Sequence, residues 1–341
     1  MADRKKKAIR AARRAGLTLG GVALAGAALY TEVMTSVIAR RRTPSTDAIM
    51  YMATGGRPDD HDPIYDEWAD SFKASVTETV ALRSHDGYVL RAHWYPAEGA
   101  TRTVLCAHGW HSRWNLDFSG IGPYLHEQGC NLLLIEQRCH GESGGNLISY
   151  GIRERYDILS WLDWLAENHA GTPVYLCGVS MGAATVLMAA GLPIAGRVAG
   201  IIADCGYSDP KEIVKITLEK SIGGFAGCTL AAVNLNCKLK DKFSLSDYSP
   251  VEAMAKNTEI PCLFIHGDAD TFVPFRMSVE NYYACQAPKE LLIVSGAAHA
   301  MSFVVNPDAY KQKLLEFFSA HDPVVPPEKP RRSKRKARRT A

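Results

Sequence analysis

The sequence lacks the residue patterns that hold most protein-bound metals. It has no Cys-x-x-Cys pair and no Cys/His cluster, which are the usual ligand spacings of structural zinc sites. We therefore predict neither a metal nor another cofactor. The nine cysteines are an odd number, which argues against a disulfide framework of the secreted type. Cys228 and Cys237 are the only candidate pair for a disulfide bond.

Internal repeats are also missing, which excludes a solenoid or propeller. Hydrophobic residues make up 47% and charged residues 22% of the chain, and both values are ordinary for a soluble globular domain. Between residues 75 and 320, short apolar runs alternate with helical patterns and Gly-rich loops. This alternation predicts an α/β fold with a mostly parallel central sheet and helices on both faces.

One motif points to chemistry, namely Gly178-x-Ser180-x-Gly182. It follows an apolar run at residues 173–177 and precedes an Ala-rich helical run at residues 183–190. In this strand–turn–helix context the pattern places the serine on a sharp turn. Glycines on either side allow the strand and the helix to approach closely. A serine hydroxyl is a weak nucleophile by itself, so the interpretation requires a base and an acid.

Candidates for both follow later in the chain. Asp268 and Asp270 lie in the loop after an apolar strand at residues 260–265, and His299 follows a short strand at residues 291–294. The histidine would take the serine proton, and a carboxylate would hold the imidazole in the required tautomer. On this pattern alone, either aspartate could be the acid.

The order of serine, acid and histidine, each after a strand, resembles that of the α/β-hydrolase superfamily. Within it, the sequence is similar to membrane-anchored bacterial serine aminopeptidase-like hydrolases. Asp270 occupies the acid position of the family pattern His-Gly-x-x-Asp-x-x-Val-Pro. The resemblance therefore implies a catalytic triad of Ser180, His299 and Asp270, and it leaves Asp268 to turn hydrogen bonds.

The resemblance also implies an oxyanion hole made of two backbone N–H groups. One belongs to the residue after the nucleophile, Met181, and the other to the loop after an earlier strand, where Trp110 is the candidate. His108 in that loop is predicted to be structural, because one histidine already fills the base role. The superfamily inserts a cap over the active site, and here a short helical cap is expected at about residues 209–249.

The N-terminal part of the sequence is typical of membrane attachment. Residues 1–14 contain seven basic residues, and residues 15–39 form an apolar stretch that only Glu32 interrupts. We predict a single-pass transmembrane signal-anchor there, followed by a linker at residues 40–74 and the hydrolase domain at residues 75–320. The larger basic cluster precedes the apolar stretch, which predicts a cytoplasmic N-terminus and an extracytoplasmic domain at the cell membrane. A cleaved signal peptide with a secreted product, or attachment at the cytoplasmic face, are the alternatives.

The C-terminal residues 321–341 carry eight basic residues behind a proline-rich stretch. Such a composition predicts a disordered tail. Its expected partner is an anionic lipid surface or a cell-wall polymer. Nucleic acid is not expected as a partner, because no aromatic residues are interleaved with the basic ones.

The predicted function is hydrolysis of an ester, thioester or amide through an acyl-enzyme on Ser180, with a small acyl or peptide substrate. A serine aminopeptidase is the alternative within this class. It would need carboxylates in the cap to hold the substrate amine, and Glu212 and Glu219 are the candidates. The alternative of another class is a non-catalytic surface-binding protein with the same fold.

Overall fold

The computed structural model describes residues 25–41, 63–76 and 78–323. The predicted basic N-terminus, the first ten residues of the predicted anchor and nearly all of the predicted basic tail lie outside the described residues.

The centre of the molecule is a sheet of eight strands in the order β1-β2-β4-β3-β5-β6-β7-β8. The β1–β2 and β2–β4 pairs are antiparallel, and the other neighbours are parallel. The strands are β1 (Glu78–Arg83), β2 (Val89–Tyr95), β3 (Arg102–Ala107), β4 (Cys130–Glu136), β5 (Val174–Val179), β6 (Gly200–Asp204), β7 (Cys262–Gly267) and β8 (Lys289–Val294). The mostly parallel sheet that the sequence predicts is confirmed.

Helices alternate with these strands along the chain. They are α1 (Pro63–Ser75), α2 (Trp114–Asp117), α3 (Ile121–Glu127), α4 (Glu154–Asn168), α5 (Met181–Ala189), α6 (Pro210–Ile222), α7 (Ala226–Asp241), α8 (Pro250–Lys256), α9 (Arg276–Ala284), α10 (Ser302–Val305) and α11 (Pro307–His321). Residues 25–39 form a further helical segment.

Helices cover both faces of the sheet. Successive strand residues point to opposite sides, so each inner strand packs apolar side chains on both faces. Leu105 and Leu176 pack into a cluster with Trp161 of α4 on one face. Tyr175, next to Leu176 in β5, packs with Phe317 of α11 on the other face. The strands consequently read as continuous apolar runs, as expected for a parallel sheet covered on both sides.

The predicted cap region contains α6 and α7, which lie between β6 and α8. Helix α7 places Leu230 and Val233 in a third apolar cluster near the carboxyl end of the sheet. The candidate Cys228–Cys237 disulfide is wrong, because both residues lie in this one helix. Nine helical residues rise by about 13.5 Å, whereas disulfide-bonded Cα atoms lie within about 7 Å.

The predicted linker at residues 40–74 contains helix α1 in its last part. Ala69, Phe72 and Val76 are buried, and their spacing of three and four places them on one face of the helix and its C-terminal end. The Phe72 ring meets the Trp114 ring edge-on, with 5.8 Å between centroids. This part of the chain is therefore packed on the domain rather than only connecting it.

The helical segment at residues 25–39 is the described part of the predicted anchor. Its first six residues are exposed, whereas Val37, Ile38 and Ala39 are buried against the domain. The anchor prediction did not anticipate this packing. Among the residues that the structure describes, no helix is sufficiently long and apolar to cross a bilayer.

Candidate active site

Ser180 occupies a sharp turn between β5 and α5. Its φ and ψ angles are 55° and −116°. Residues other than glycine rarely adopt this backbone conformation, which costs about 1–3 kcal/mol. A Cβ on Gly178 would collide with the backbone of Gly182, and a Cβ on Gly182 would collide with the carbonyl of Ala107. The two glycines of the motif are thus required by close backbone approach, as the sequence predicts.

The loops after β7 and β8 bring an acid and a base to this serine. His299 Nε2 lies 3.0 Å from Ser180 Oγ, and His299 Nδ1 lies 2.7 Å from Asp270 Oδ2. The carboxylate is acceptor-only when ionised, so Nδ1 carries the proton and Nε2 is left to accept from the serine hydroxyl. The three predicted residues therefore form one continuous hydrogen-bonded chain.

The Asp270 carboxylate is held by four donors. Oδ1 accepts from the backbone N–H groups of Phe272 and Val273, both at 2.8 Å, and Oδ2 faces His266 Nε2 at 3.0 Å in addition to His299. Burial alone would raise the pKa of Asp270, but the hydrogen bonds from His266 and His299 outweigh it and hold the pKa well below its usual range. The acid is consequently fixed as an anion.

Asp268 has a different position. Its Oδ1 accepts a hydrogen bond from the Gly296 N–H at 2.6 Å, which ties the loop after β7 to the loop that carries His299. Asp270, and not Asp268, is the carboxylate that contacts the imidazole.

In the loop after β3, the backbone N–H of Trp110 differs from those of its two neighbours in having no acceptor among the described residues. The Gly109 N–H donates to Asp117 Oδ2 at 2.6 Å, and the His111 N–H donates to His140 Nε2 at 3.0 Å. Between them, the Trp110 N–H donates to none of the described residues, and the same holds for the Met181 N–H at the start of α5. Two free donors therefore flank Ser180, which is the requirement for an oxyanion hole.

The histidines of this region brace the loop. His108 Nδ1 lies 2.8 Å from its neighbour's carbonyl oxygen, and its Nε2 accepts from the Gln137 N–H at 3.1 Å. Burial, together with nearby His140, lowers the pKa of His108 to about 3. A neutral ring with both nitrogens occupied fits the structural role that the sequence predicts for His108.

A small pocket of about 40 Å³ opens beside the serine. Apart from Ser180 and Thr217, the residues that line it are apolar or aromatic. They are Ile38, Trp110, Tyr150, Ser180, Met181, Tyr207, Ile213, Val214, Thr217, Leu218, Phe272 and Val273. A cavity must offer about 10–15 Å³ to hold one water molecule. The pocket is therefore large enough for a short apolar chain.

Asp204 lies beneath the site at the end of β6. Its backbone oxygen accepts from the Ser180 N–H at 2.9 Å, and its side chain accepts from the Tyr310 hydroxyl at 3.1 Å and from Ser302 at 3.4 Å. Burial raises the pKa of Asp204 to about 6, although His266 and the Tyr310 hydroxyl oppose the shift. Asp204 connects the nucleophile turn to the helices that follow His299.

Strained backbone is concentrated around the site. His111, Tyr150, Ser180, Cys205 and Ala300 have positive φ angles between 47° and 59°. Each adjoins or belongs to a feature described above: the loop after β3, the pocket wall, the nucleophile turn, the end of β6 and the histidine loop. Strain of this kind persists where the surrounding structure fixes it, and it is common at functional sites.

Among the described residues, two groups of side chains have the spacing of a metal site. One is His85, Asp86 and Asp157, whose two carboxylates are paired with Arg138, and the other lies at the candidate active site. Ligand atoms of Cys205, Asp270 and His299 lie within 4.8 Å of one another. Both Asp270 oxygens already accept hydrogen bonds, and burial raises the pKa of the Cys205 thiol well above its usual range. A neutral thiol is a poor metal ligand, so these donors suit a proton relay better than a cation.

Sequence reasoning missed three contributors. His266 stands at the first position of the pattern that identified Asp270, which is the one available signal. Asp117 holds the loop of Trp110, and Ile38 lines the pocket from a segment far away in the sequence. Neither of the last two residues carries a local pattern that would reveal its role.

Comparisons with known proteins agree with this architecture. The family model for serine aminopeptidases of the S33 type matches residues 99–226. The chain is 28% identical to the uncharacterized protein YqkD of Bacillus subtilis (strain 168) over 253 residues, which cover 73% of this chain and 81% of YqkD.

Two solved structures have the same fold. The Pyrococcus furiosus esterase Pf2001 aligns with a TM-score of 0.59 at 21% identity, covering 77% of this chain and 96% of the esterase. The Pyrococcus horikoshii acylaminoacyl peptidase aligns with a TM-score of 0.52 at 17% identity, covering 72% of this chain and 41% of the peptidase. The predicted fold class is thereby confirmed.

Proposed function

We propose that this chain, a hydrolase of the α/β-hydrolase superfamily, cleaves a carboxylic ester, thioester or amide through an acyl-enzyme on Ser180. The observation that carries the proposal is the hydrogen-bonded chain from Ser180 Oγ through His299 to Asp270, with spacings of 3.0 Å and 2.7 Å. A serine becomes nucleophilic at neutral pH when such a base can take its proton.

The proposed reaction has two halves. Ser180 Oγ attacks the substrate carbonyl carbon while His299 Nε2 takes the hydroxyl proton, and the negative oxygen that forms is bound by the N–H groups of Trp110 and Met181. His299 then gives the proton to the departing alcohol, thiol or amine. A water molecule, deprotonated by His299 in turn, attacks the acyl-enzyme and releases the carboxylic acid with Ser180 restored. Asp270 stays ionised and stabilises the imidazolium in both halves.

We assign the pocket beside Ser180 to the acyl part of the substrate. The pocket is lined by Trp110 and Met181, whose N–H groups would bind the carbonyl oxygen, and His299 is not among its lining residues. Because the leaving group departs toward the imidazole that protonates it, the leaving group belongs on the other side of the serine. The small apolar volume favours a short, uncharged acyl group.

The pocket supports an esterase-like function better than an aminopeptidase. An aminopeptidase needs a carboxylate to hold the substrate ammonium group, and no carboxylate is among the described residues that line the pocket. Of the two predicted candidates, Glu212 is paired with Arg276 at 2.5 Å and Glu219 with Lys215 at 3.4 Å. Both side chains are thus engaged at the outer surface of the cap.

Membrane attachment through the predicted anchor at residues 15–39, and adhesion of the basic tail at residues 321–341 to anionic lipid or cell-wall polymer, are further proposals. Their support is the pattern of charge and hydropathy in the sequence. Because Val37, Ile38 and Ala39 are buried against the domain, the part of the anchor proposed to meet the bilayer is the part before residue 31.

Covalent labelling tests the function. A fluorophosphonate probe should modify wild-type protein at Ser180, as mapped by peptide mass spectrometry, and should not modify the Ser180→Ala variant. A panel of short-chain esters, thioesters and aminoacyl amides would then rank the substrate classes, and we expect the esters to be turned over fastest. Absence of labelling together with absence of turnover would support the non-catalytic alternative.

A further inference from the structure

Residues 31–41, which we call the docked segment, follow the exposed start of the N-terminal helix and lie on the active-site side of the domain. The last turn of a helix leaves carbonyl groups without an intrahelical partner. Here the domain supplies the missing donors. The Ile38 oxygen accepts from the Trp110 indole at 3.1 Å and from the Tyr150 hydroxyl at 2.9 Å, and the Ala39 oxygen accepts from the Ile148 N–H at 2.9 Å.

Charged side chains hold the segment on both sides. Arg40 Nη2 donates to both carboxylate oxygens of Asp241, at 2.8 Å and 3.1 Å, and Arg40 Nη1 donates to the backbone oxygen of Asn146 at 2.7 Å. Arg41 donates to the backbone oxygens of Gly141 and Ser143. The segment is therefore fixed to the cap by Arg40 and to the loop after β4 by both arginines.

The contacts continue along α7. Asn236 donates to Thr35 at 2.9 Å and to Glu32 at 3.1 Å, and Lys240 pairs with Glu32. Thr35 is fully buried. These polar contacts pair the N-terminal helical segment with one face of α7 in a single register.

The docked segment also reaches the reacting centre. The Ile38 side chain is only 6% exposed and lines the same pocket as Ser180 and Met181. Its backbone oxygen accepts a hydrogen bond from the Trp110 indole. The backbone N–H of the same tryptophan is a proposed oxyanion donor. One residue of the segment thus shapes the pocket and restrains the loop of the oxyanion hole.

We propose that the docked segment is a structural part of the active site, in which Ile38 closes the acyl pocket and sets the length of acyl chain that is accepted. The inference rests on the proposed function for its substrate, because the pocket is assigned to an acyl group. Without the segment, the Tyr150 hydroxyl and the Trp110 indole would lose their acceptor and the pocket would lose a wall. Ile38 is a specificity-determining residue on this account, and Arg40 is a positioning residue.

The first test measures acyl-length preference in the full chain. The Ile38→Ala variant removes three carbon atoms from the pocket wall, and Ile216→Ala serves as a matched control, because Ile216 packs on the same cluster without lining the pocket. Rates are compared for p-nitrophenyl esters from acetate to octanoate. We expect Ile38→Ala to raise kcat/KM for long relative to short acyl chains by about tenfold or more, since one methylene in such a pocket is worth 10-fold or more. An unchanged preference would overturn the assignment of Ile38.

The second test does not depend on catalysis. Hydrogen exchange is measured in the wild type, in Arg40→Glu, and in the charge-swapped double variant with Arg40→Glu and Asp241→Arg. We expect Arg40→Glu to lose amide protection in residues 146–150 and in the docked segment, and the double variant to regain it. Equal protection in all three proteins would overturn the docking. If no ester is turned over and no probe reacts, the proposed function fails, while the exchange result still decides whether the segment is docked.

Discussion

His266 and Asp270 form a buried pair in which His266 Nε2 lies 3.0 Å from Asp270 Oδ2, the same oxygen that accepts from His299. His266 Nε2 also lies 2.9 Å from the Val273 oxygen. Since both neighbours are acceptors, this nitrogen carries a proton, and Nδ1 faces the Ser278 hydroxyl at 2.6 Å. A second histidine, His266, therefore donates a hydrogen bond to the acid of the proposed triad.

Replacement of His266 by Leu should make the Asp270 carboxylate easier to protonate. The variant loses a hydrogen bond that lowers the pKa of Asp270 while the burial that raises it remains, so the pKa of Asp270 should rise. We expect kcat to fall by less than the roughly 10⁴-fold caused by loss of a triad acid. The acidic limb of the kcat–pH profile should move to higher pH.

His266→Gln is the matched control, because its amide can still donate to Asp270. It should lie between the wild type and His266→Leu in both kcat and pH profile. A profile for His266→Leu that superimposes on that of the wild type would assign His266 a purely structural role.

The two aspartates of the β7 loop should differ sharply. Asp270→Asn places an amide where the imidazole needs a carboxylate, and kcat should fall by about 10⁴-fold, as for loss of the acid in a known triad. Asp268→Asn should change kcat little, because the side chain of Asp268 accepts a hydrogen bond from the Gly296 N–H and does not contact His299 in the described part of the chain. Steady-state kinetics with one ester measures both, and the reverse ranking would exclude Asp270 as the acid.

Asp204 should make stability depend on pH. Its pKa of about 6 in the folded protein exceeds the value of about 3.9 for an unfolded chain. Between these two values the folded state binds the proton more tightly, so the free energy of unfolding should decrease as the pH rises from 4 to 6 and then stay level with respect to this group.

Thermal unfolding of the wild type and Asp204→Asn at pH 4, 5, 6 and 7 measures this contribution. The asparagine cannot titrate, so the Tm difference between the two proteins should shift in favour of Asp204→Asn as the pH rises. A difference that is independent of pH would show that Asp204 does not titrate in this range.

Membrane topology can be tested on cells. Seven basic residues before the apolar stretch against three after it favour a cytoplasmic N-terminus. Protease added to intact, wall-stripped cells should then remove the hydrolase domain and spare a short N-terminal fragment. Soluble mature protein that begins near Ala28 would establish a cleaved signal instead, and full protection until lysis would place the domain in the cytoplasm.

Local patterns were sufficient to predict much of the fold and the candidate site. The alternation of strand and helix patterns predicted the mostly parallel sheet. The motif Gly178-x-Ser180-x-Gly182 predicted the close backbone approach at its two glycines. The order of a serine, an acid and a histidine could be read because each follows a strand, and the carboxyl ends of parallel strands meet at one edge of the sheet. The choice of Asp270 over Asp268 came from the resemblance to the family pattern.

The remaining features depend on contacts between distant parts of the chain. Ile38 reaches the pocket only because the carbonyls at its helix end match donors on Trp110 and Tyr150, and no local pattern encodes that match. Residues 63–74 were assigned to a linker, because the partner that covers the apolar face of helix α1 is supplied by residues such as Trp114, which lie far away in the sequence. The sequence left a Cys228–Cys237 disulfide open, because the mixed composition of this region did not show that both cysteines lie in one helix.

The most direct test of the account is detection of the acyl-enzyme. Wild-type protein is mixed with excess p-nitrophenyl butyrate, quenched in acid within the first turnovers, and analysed by intact and peptide mass spectrometry, with Ser180→Ala as the control. The account predicts a burst of p-nitrophenol and a butyryl group on Ser180 that the variant lacks. Ester turnover that persists in Ser180→Ala, or a butyryl group on another residue in the wild type, would contradict it.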